Sequence, residues 1–234
     1  MFVLDINKFT DSDLANAKEF VSFWSNYYSS TTRIYKTEER ISYIKELNLC
    51  NDLTCDNVTK LLRWKDPRML TEANPLNPSN PRVKSVLQKV DDINSFRRSE
   101  NNETKFRNIV QGIFPKGFIW PVFLLHIARP YEFPIADRNV FTSFSILTNN
   151  EIPEDWKGYK NYKDFFFKVA KSAGFITKPP TGNESNIYTI VAALKKVDDA
   201  LFVFGKFLNI YSSNCVSTKS RTKKKEKYNL VIHN

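Results

Sequence analysis

The stretch "GIFPKGFIWPVFLLHIARPYEFPIADRNVFTSF", residues 112–144, combines a glycine-bounded turn, a nearly uninterrupted apolar segment and an aspartate set before a new apolar pattern. Gly112 suits a left-handed cap at the end of one helix, and Pro121 is tolerated only in the first turn of the next. A turn of about five residues between two helices is therefore predicted. A helix start at Gly117 would present backbone N–H groups beside Lys116, a setting that suits a phosphate. "FIWPVFLLHIA" is apolar around its circumference and belongs at the centre of a domain. His126 within it is expected to be a hydrogen-bonded core residue rather than a catalyst. Beyond the crossover "YEFPIA", residues Val140, Phe141, Phe144 and Leu147 recur at helical spacing, so Asp137 stands at a helix N-terminus. There it can serve simply as a cap. It can equally serve chemistry, because helix amides favour an ionised carboxylate that still faces a substrate.

Outward from this stretch, helical periodicity dominates and strand alternation is scarce. "MFVLDI" is the only candidate strand or extended arm. Thr10 or Ser12 is placed to cap a helix through "LANAKEFVSFWSNYY", with Leu14, Phe20, Phe23 and Tyr27 on a shared face. Helices follow at "KTEERISYIKEL" and at "TCDNVTKLLRWKD", the latter capped by Thr54 and closed before Pro67. "TEANPLNPSNPR" cannot be one helix and reads as a connection near 71–81 joining two lobes. The pattern resumes at "RVKSVLQKVDDINSF", "ETKFRNIVQGI", the two helices already placed, "YKNYKDFFFKVAKSAGF" and "NIYTIVAALKKVDDALFVFGKFL". In the last, Ile190, Leu194, Val197, Leu201 and Phe204 form one apolar stripe, and "KPPTG" at 178–182 precedes it. The expected fold is an all-α, two-lobed bundle of about nine or ten helices over 1–214, followed by a flexible basic tail over 215–234.

The bulk numbers narrow the partners. With 234 residues, 41% of them hydrophobic, the chain can bury a real core. Its longest apolar run falls short of the roughly 18–20 residues that span a bilayer, so no membrane partner is expected. The opening residues lack a secretory pattern, which predicts an intracellular protein, cytoplasmic or nuclear/nucleoid. Cys50, Cys55 and Cys215 are too few for a disulfide framework or a four-thiolate cluster, and His126 and His233 too few for a histidine-rich metal site; neither metal nor cofactor is expected. Net charge is +10, and "KSRTKKKEK" at 219–227 supplies +5 of it through Lys219, Arg221, Lys223, Lys224, Lys225 and Lys227 against Glu226. Such a cluster favours nucleic-acid phosphates. Trp64, Trp120 and Trp156 are able to stack on a base but are expected in the core, and none is assigned.

The order of parts resembles the helix-hairpin-helix DNA glycosylase superfamily over about 35 residues. "GIFPKG" at 112–117 corresponds to that family's Leu-Pro-Gly-Val-Gly hairpin, and "PIADRNV" at 134–140 to its Pro-Val-Asp-x-His-Val segment. The resemblance puts Asp137 on the catalytic aspartate, Val140 on the following valine and Asn139 where a histidine is frequent. Ala136 is an extra residue, the hairpin lacks Gly-x-Gly, and Lys116 is out of register with the Schiff-base lysine of bifunctional members. A single cysteine near the C-terminus excludes the iron–sulfur branch. The resemblance thus implies a monomeric, monofunctional hydrolase, in repair or defence, acting on duplex DNA with an extruded base. Asp137 would be catalytic, and Gly112, Lys116, Gly117 and the 219–227 cluster would hold DNA. The alternatives are a non-catalytic helix-hairpin-helix DNA-binding module and a helical interaction protein with a basic tail.

Overall fold

The computed structural model describes residues 2–3, 16–28, 43–65, 81–175, 177, 185–216 and 231–232. Among these the chain is all-helical, apart from Phe2–Val3 (β1) paired antiparallel with Val231–Ile232 (β2), Phe2 opposite Ile232. The helices are α1 (Ala17–Ser25), α2 (Cys55–Lys65), α3 (Pro81–Leu87), α4 (Val90–Arg97), α5 (Glu103–Ile113), α6 (Ile119–Ala128), α7 (Arg138–Thr148), α8 (Trp156–Ser172) and α9 (Ser185–Val216). Residues 43–46 add one helical turn.

Two compact units form, and both are discontinuous in sequence. One comprises 1–28, 137–175 and 196–234; the other comprises 29–136 and 176–195. The connection expected near 71–81 does not divide them, because it falls inside the second unit. Pro81 instead opens α3, where its missing N–H costs nothing and its fixed φ suits a helix start. The boundaries fall where the chain passes from one apolar cluster to the other. Hydrophobic periodicity cannot report such a change, since both sides of each boundary are amphipathic.

In the second unit α6 is the centre. Every residue from Pro121 to Ala128 is buried, and α4 and α5 pack against it. Phe96 of α4 stacks on Phe106 of α5 with centroids 4.6 Å apart. Thr54 caps α2 as expected: its Oγ1 accepts from Asn57 N at 3.1 Å, while Thr54 N donates back to Asn57 Oδ1 at 3.0 Å. Buried Asn94 holds the preceding loop through Leu53, accepting from its N–H at 2.8 Å and donating to its carbonyl at 2.9 Å. "RVKSVLQKVDDINSF" is not one helix. Lys89 N bonds Val86 O at 2.9 Å, a tightened turn after which α4 starts afresh.

In the first unit, α1 packs on α8 and α8 on α7. The buried face of α1 is Ala17, Phe20, Val21 and Trp24, whereas Phe23 and Tyr27 are exposed, so the expected face was rotated by about one residue. Trp24 explains the shift. Its indole packs 5.1 Å from Phe204, and Phe20 meets the same ring edge-on at 5.4 Å. All five stripe residues of α9 are buried as expected, Ile190 and Leu194 in the second unit and Val197, Leu201 and Phe204 in the first. Helix α9 continues two residues past 214, to Val216. The proposed caps Thr10 and Ser12, Leu14, most of the 36–47 helix, and the 178–182 segment lie outside the described residues.

Candidate functional site

Asp137 is delivered by an apolar crossover. Phe133, Pro134, Ile135 and Ala136 are all buried, which fixes the chain up to the point where a polar residue must emerge. Lys65 Nζ donates to the Ala136 carbonyl at 3.2 Å, holding the end of that segment within the second unit. Asp137 itself is extended, with φ −157° and ψ 177°, and α7 begins at the next residue. Its Oδ1 accepts from Asn139 N at 2.7 Å and from Val140 N at 3.0 Å. The side chain is half-buried. Two amide donors on one oxygen set the plane of the carboxylate and favour its charged form.

The first turn of α7 is anchored to α9. Asn209 Nδ2 donates to Asn139 Oδ1 at 3.0 Å, Thr142 Oγ1 bonds Asn209 Oδ1 at 3.3 Å, and Ser143 Oγ donates to the Leu201 carbonyl. Gly205 permits this approach. A Cβ there would lie 1.9 Å from the Asn139 carbonyl oxygen. Tyr162, from α8, packs its ring 5.6 Å from Phe141. Its hydroxyl is fully buried and has no hydrogen-bond partner among the described residues. Burial, reinforced by the charges of Asp198, Asp137 and Tyr159, drives the Tyr162 pKa far above that of an ordinary phenol. It is a neutral phenol at every physiological pH.

The turn between α5 and α6 belongs to the other unit. Helix α5 runs to Ile113 and is capped by Phe114, so Gly112 lies inside it and does not form the left-handed cap the sequence predicted. Its hydrogen bonding continues normally, with Phe114 N bonded to Val110 O at 3.0 Å. Pro115, Lys116 and Gly117 are exposed at the tip, and the positive φ of Gly117, +81°, is the one backbone feature there that demands glycine. Phe118 is the N-cap of α6 and gives no side-chain hydrogen bond to its amides; Pro121 falls in the first turn, as expected. Trp120 stacks on Phe114 at 5.7 Å and braces the turn from beneath.

Among known proteins, the chain matches no family model, no curated protein and no solved structure. The site therefore rests on its own geometry. Lys219, Arg221, Lys223, Lys224, Lys225 and Lys227 lie outside the described residues. His126 is a core residue, 6% exposed, bonded through Nε2 to the Tyr43 hydroxyl and through Nδ1 to the Phe133 carbonyl at 2.6 Å. Trp64 is half-buried and stacks on Tyr43 at 4.1 Å. Sequence reasoning missed Asp198 and Asp199, two buried acids of α9, the second at 0% exposure. Their signal was present. They sit between Val197 and Ala200 in an otherwise apolar stripe, where a charge is costly unless it is partnered. Among the described residues no group of three or more His, Cys, Asp or Glu side chains is placed to hold a metal, and no helix is long and apolar enough to cross a membrane.

Proposed function

We propose that the chain is a monofunctional DNA glycosylase that hydrolyses the N-glycosidic bond of a damaged or modified base, with Asp137 as its catalytic carboxylate. The observation that carries this is the clamping of Asp137 Oδ1 by two amides at the mouth of α7, directly after a buried Pro-Ile-Ala segment. A base inside a duplex is out of reach, so the nucleotide must first be extruded, at the cost of its stacking. Cleavage then builds positive charge on the sugar. A carboxylate already oriented by its own helix stabilises that oxocarbenium-like state without reorganising, and it aligns the water that captures the sugar carbon. Lys116 and Gly117 would meet a backbone phosphate at the exposed turn before α6, while the 219–227 cluster would add sequence-independent, salt-sensitive affinity.

The test is release of a base from duplexes carrying alkylated, oxidised, deaminated or hypermodified bases. Asp137→Asn should abolish abasic-site formation while leaving DNA affinity nearly unchanged. Equal base release by both proteins rules out the catalytic role. One observation favours a second reading, a DNA-binding module without chemistry: Gly112 is spent inside α5, leaving the turn with a single positive-φ glycine and no Gly-x-Gly. That reading requires tight DNA binding with no abasic sites on any substrate of the panel.

A further inference from the structure

Three arginines cluster around the end of α4, and two of them are saturated. Arg98 is exposed and pairs with Glu100 at 2.6 Å and with Asp52. Arg129 lies 4.0 Å above the Phe96 ring, and its Nε donates to the Phe96 carbonyl at 2.9 Å. Its two terminal nitrogens reach Ser99 Oγ at 3.1 Å and Glu132 at 3.4 Å.

Arg97 is different. Its Nη2 donates to the Leu47 carbonyl, but Nη1 is shut away from solvent and has no acceptor among the described residues. No carboxylate bonds it, and Asp52, the acid whose charge it feels, is engaged by Arg98. Burial lowers the Arg97 pKa below its ordinary value, offset in part by Tyr131, Asp52, Tyr188 and Cys50 around it. The guanidinium nevertheless stays charged. A shielded cation with an unused donor is expensive, and the clasp to Leu47 does not explain it, since one donor from a simpler side chain would serve.

The surroundings indicate what completes it. Tyr131 is half-buried and Tyr188 is 36% exposed, so the guanidinium lies just beneath the surface, and both phenols carry a donor. A guanidinium fork matches two oxygens of a phosphate. One unneutralised positive charge matches the single negative charge of a phosphodiester better than a doubly charged monoester. The chain's net charge of +10 favours the polymeric source. We propose that Arg97, flanked by Tyr131 and Tyr188, is an oxyanion site that takes one phosphodiester of a nucleic-acid backbone. The assignment rests on the DNA-binding half of the proposed function and not on its chemistry.

The experiment is duplex affinity of the full chain between ~50 and ~200 mM salt, for wild type, Arg97→Gln and Arg97→Lys, with inorganic phosphate as a second probe followed by thermal unfolding. Arg97→Gln should flatten the slope of log K against log salt by about 0.9, one phosphate contact. Arg97→Lys keeps the charge but not the fork, so it should keep the slope and lose several-fold in affinity. That variant decides the matter even if the glutamine protein unfolds. Unchanged affinity in Arg97→Lys, or an unchanged slope in a folded Arg97→Gln protein, overturns the site and leaves only a clasp. If inorganic phosphate stabilises wild type but not the variants, while duplex binding is the same in all three, the occupant is a free phosphate and the nucleic-acid assignment is wrong. Wild type that binds no duplex sinks the proposed function together with this site. A bound duplex with the wild-type slope in Arg97→Gln sinks this site alone.

Discussion

Asp137 and Asp155 open successive helices of the same unit with the same chemical device, and they differ in what surrounds them. Asp155 is exposed, and its Oδ1 accepts from Gly158 N at 2.8 Å. Asp137 is half-buried, its Oδ1 accepts from two amides, and the turn it opens is tied to α9 by Asn139, Thr142 and Ser143. Each cap is also seated by a glycine contact. Gly158 faces the Pro153 carbonyl and Gly205 the Asn139 carbonyl, and in each case an added Cβ would lie 1.9 Å from the oxygen. Capping alone therefore does not mark a site. What separates the two aspartates is immobilisation in apolar surroundings, where a fixed charge acts with least screening.

The largest expected effect breaks the comparison by charge. Asparagine caps a helix about as well as aspartate, so Asp137→Asn and Asp155→Asn should both fold with stabilities near wild type. Base release should fall by at least ~10²–10³-fold in the first and stay unchanged in the second. A like response in both proteins, whether loss or retention, would erase the functional distinction between the two caps.

Next in size are the glycines. Gly205→Ala and Gly158→Ala each drive a methyl group into a carbonyl that cannot move without its helix, at a cost of about 1–3 kcal/mol. Denaturant unfolding should show both losses. Only Gly205→Ala shifts the turn that carries Asp137, so it alone should also reduce base release in the fraction that remains folded. A smaller effect follows from Asp155→Ala, which removes an exposed cap and should cost ~1 kcal/mol of stability with activity intact. Loss of activity there would mean that Asp155 does more than seat α8.

The two caps also show what a sequence can disclose. Asp137 was readable because "PIADRNV" joins a buried crossover to helical spacing, and Thr54 because Asn57 follows it at the spacing of a reciprocal cap. The stripe on α9 was readable because five apolar residues repeat over several turns. What escaped depends on contacts between distant segments. The break at Lys89 carries no proline or glycine. The burial of Trp24 in place of Phe23 was decided by Phe204, far away in sequence. Gly112 looked like a cap because a helix end and a glycine usually coincide, yet here the helix runs one residue further. The discontinuous units were beyond reach for the same reason, since each boundary separates two stretches of equal polarity. Arg97 escaped because its anomaly is a missing acceptor, which no pattern of residue types encodes.

The smallest effect concerns Tyr162, which shares the core behind Asp137 and has no counterpart in hydrogen-bonding terms among the residues around Asp155. Its hydroxyl makes no hydrogen bond among the described residues, so Tyr162→Phe discards a desolvated polar group and should be neutral or slightly stabilising at neutral pH. The two proteins should separate only in alkali. The folded-state pKa of Tyr162 is raised, by burial first and then by Asp198, Asp137 and Tyr159. Unfolding releases the phenol to an ordinary pKa of about 10. Its contribution to stability is therefore fully present below about pH 10 and is lost as pH rises above that value, because only the unfolded chain gives up the proton. Wild type should lose about 1.4 kcal/mol more per pH unit in that window than Tyr162→Phe. Parallel stability curves for the two proteins above pH 10 would mean that this phenol reaches solvent in the folded state, and that the wall behind Asp137 is wet.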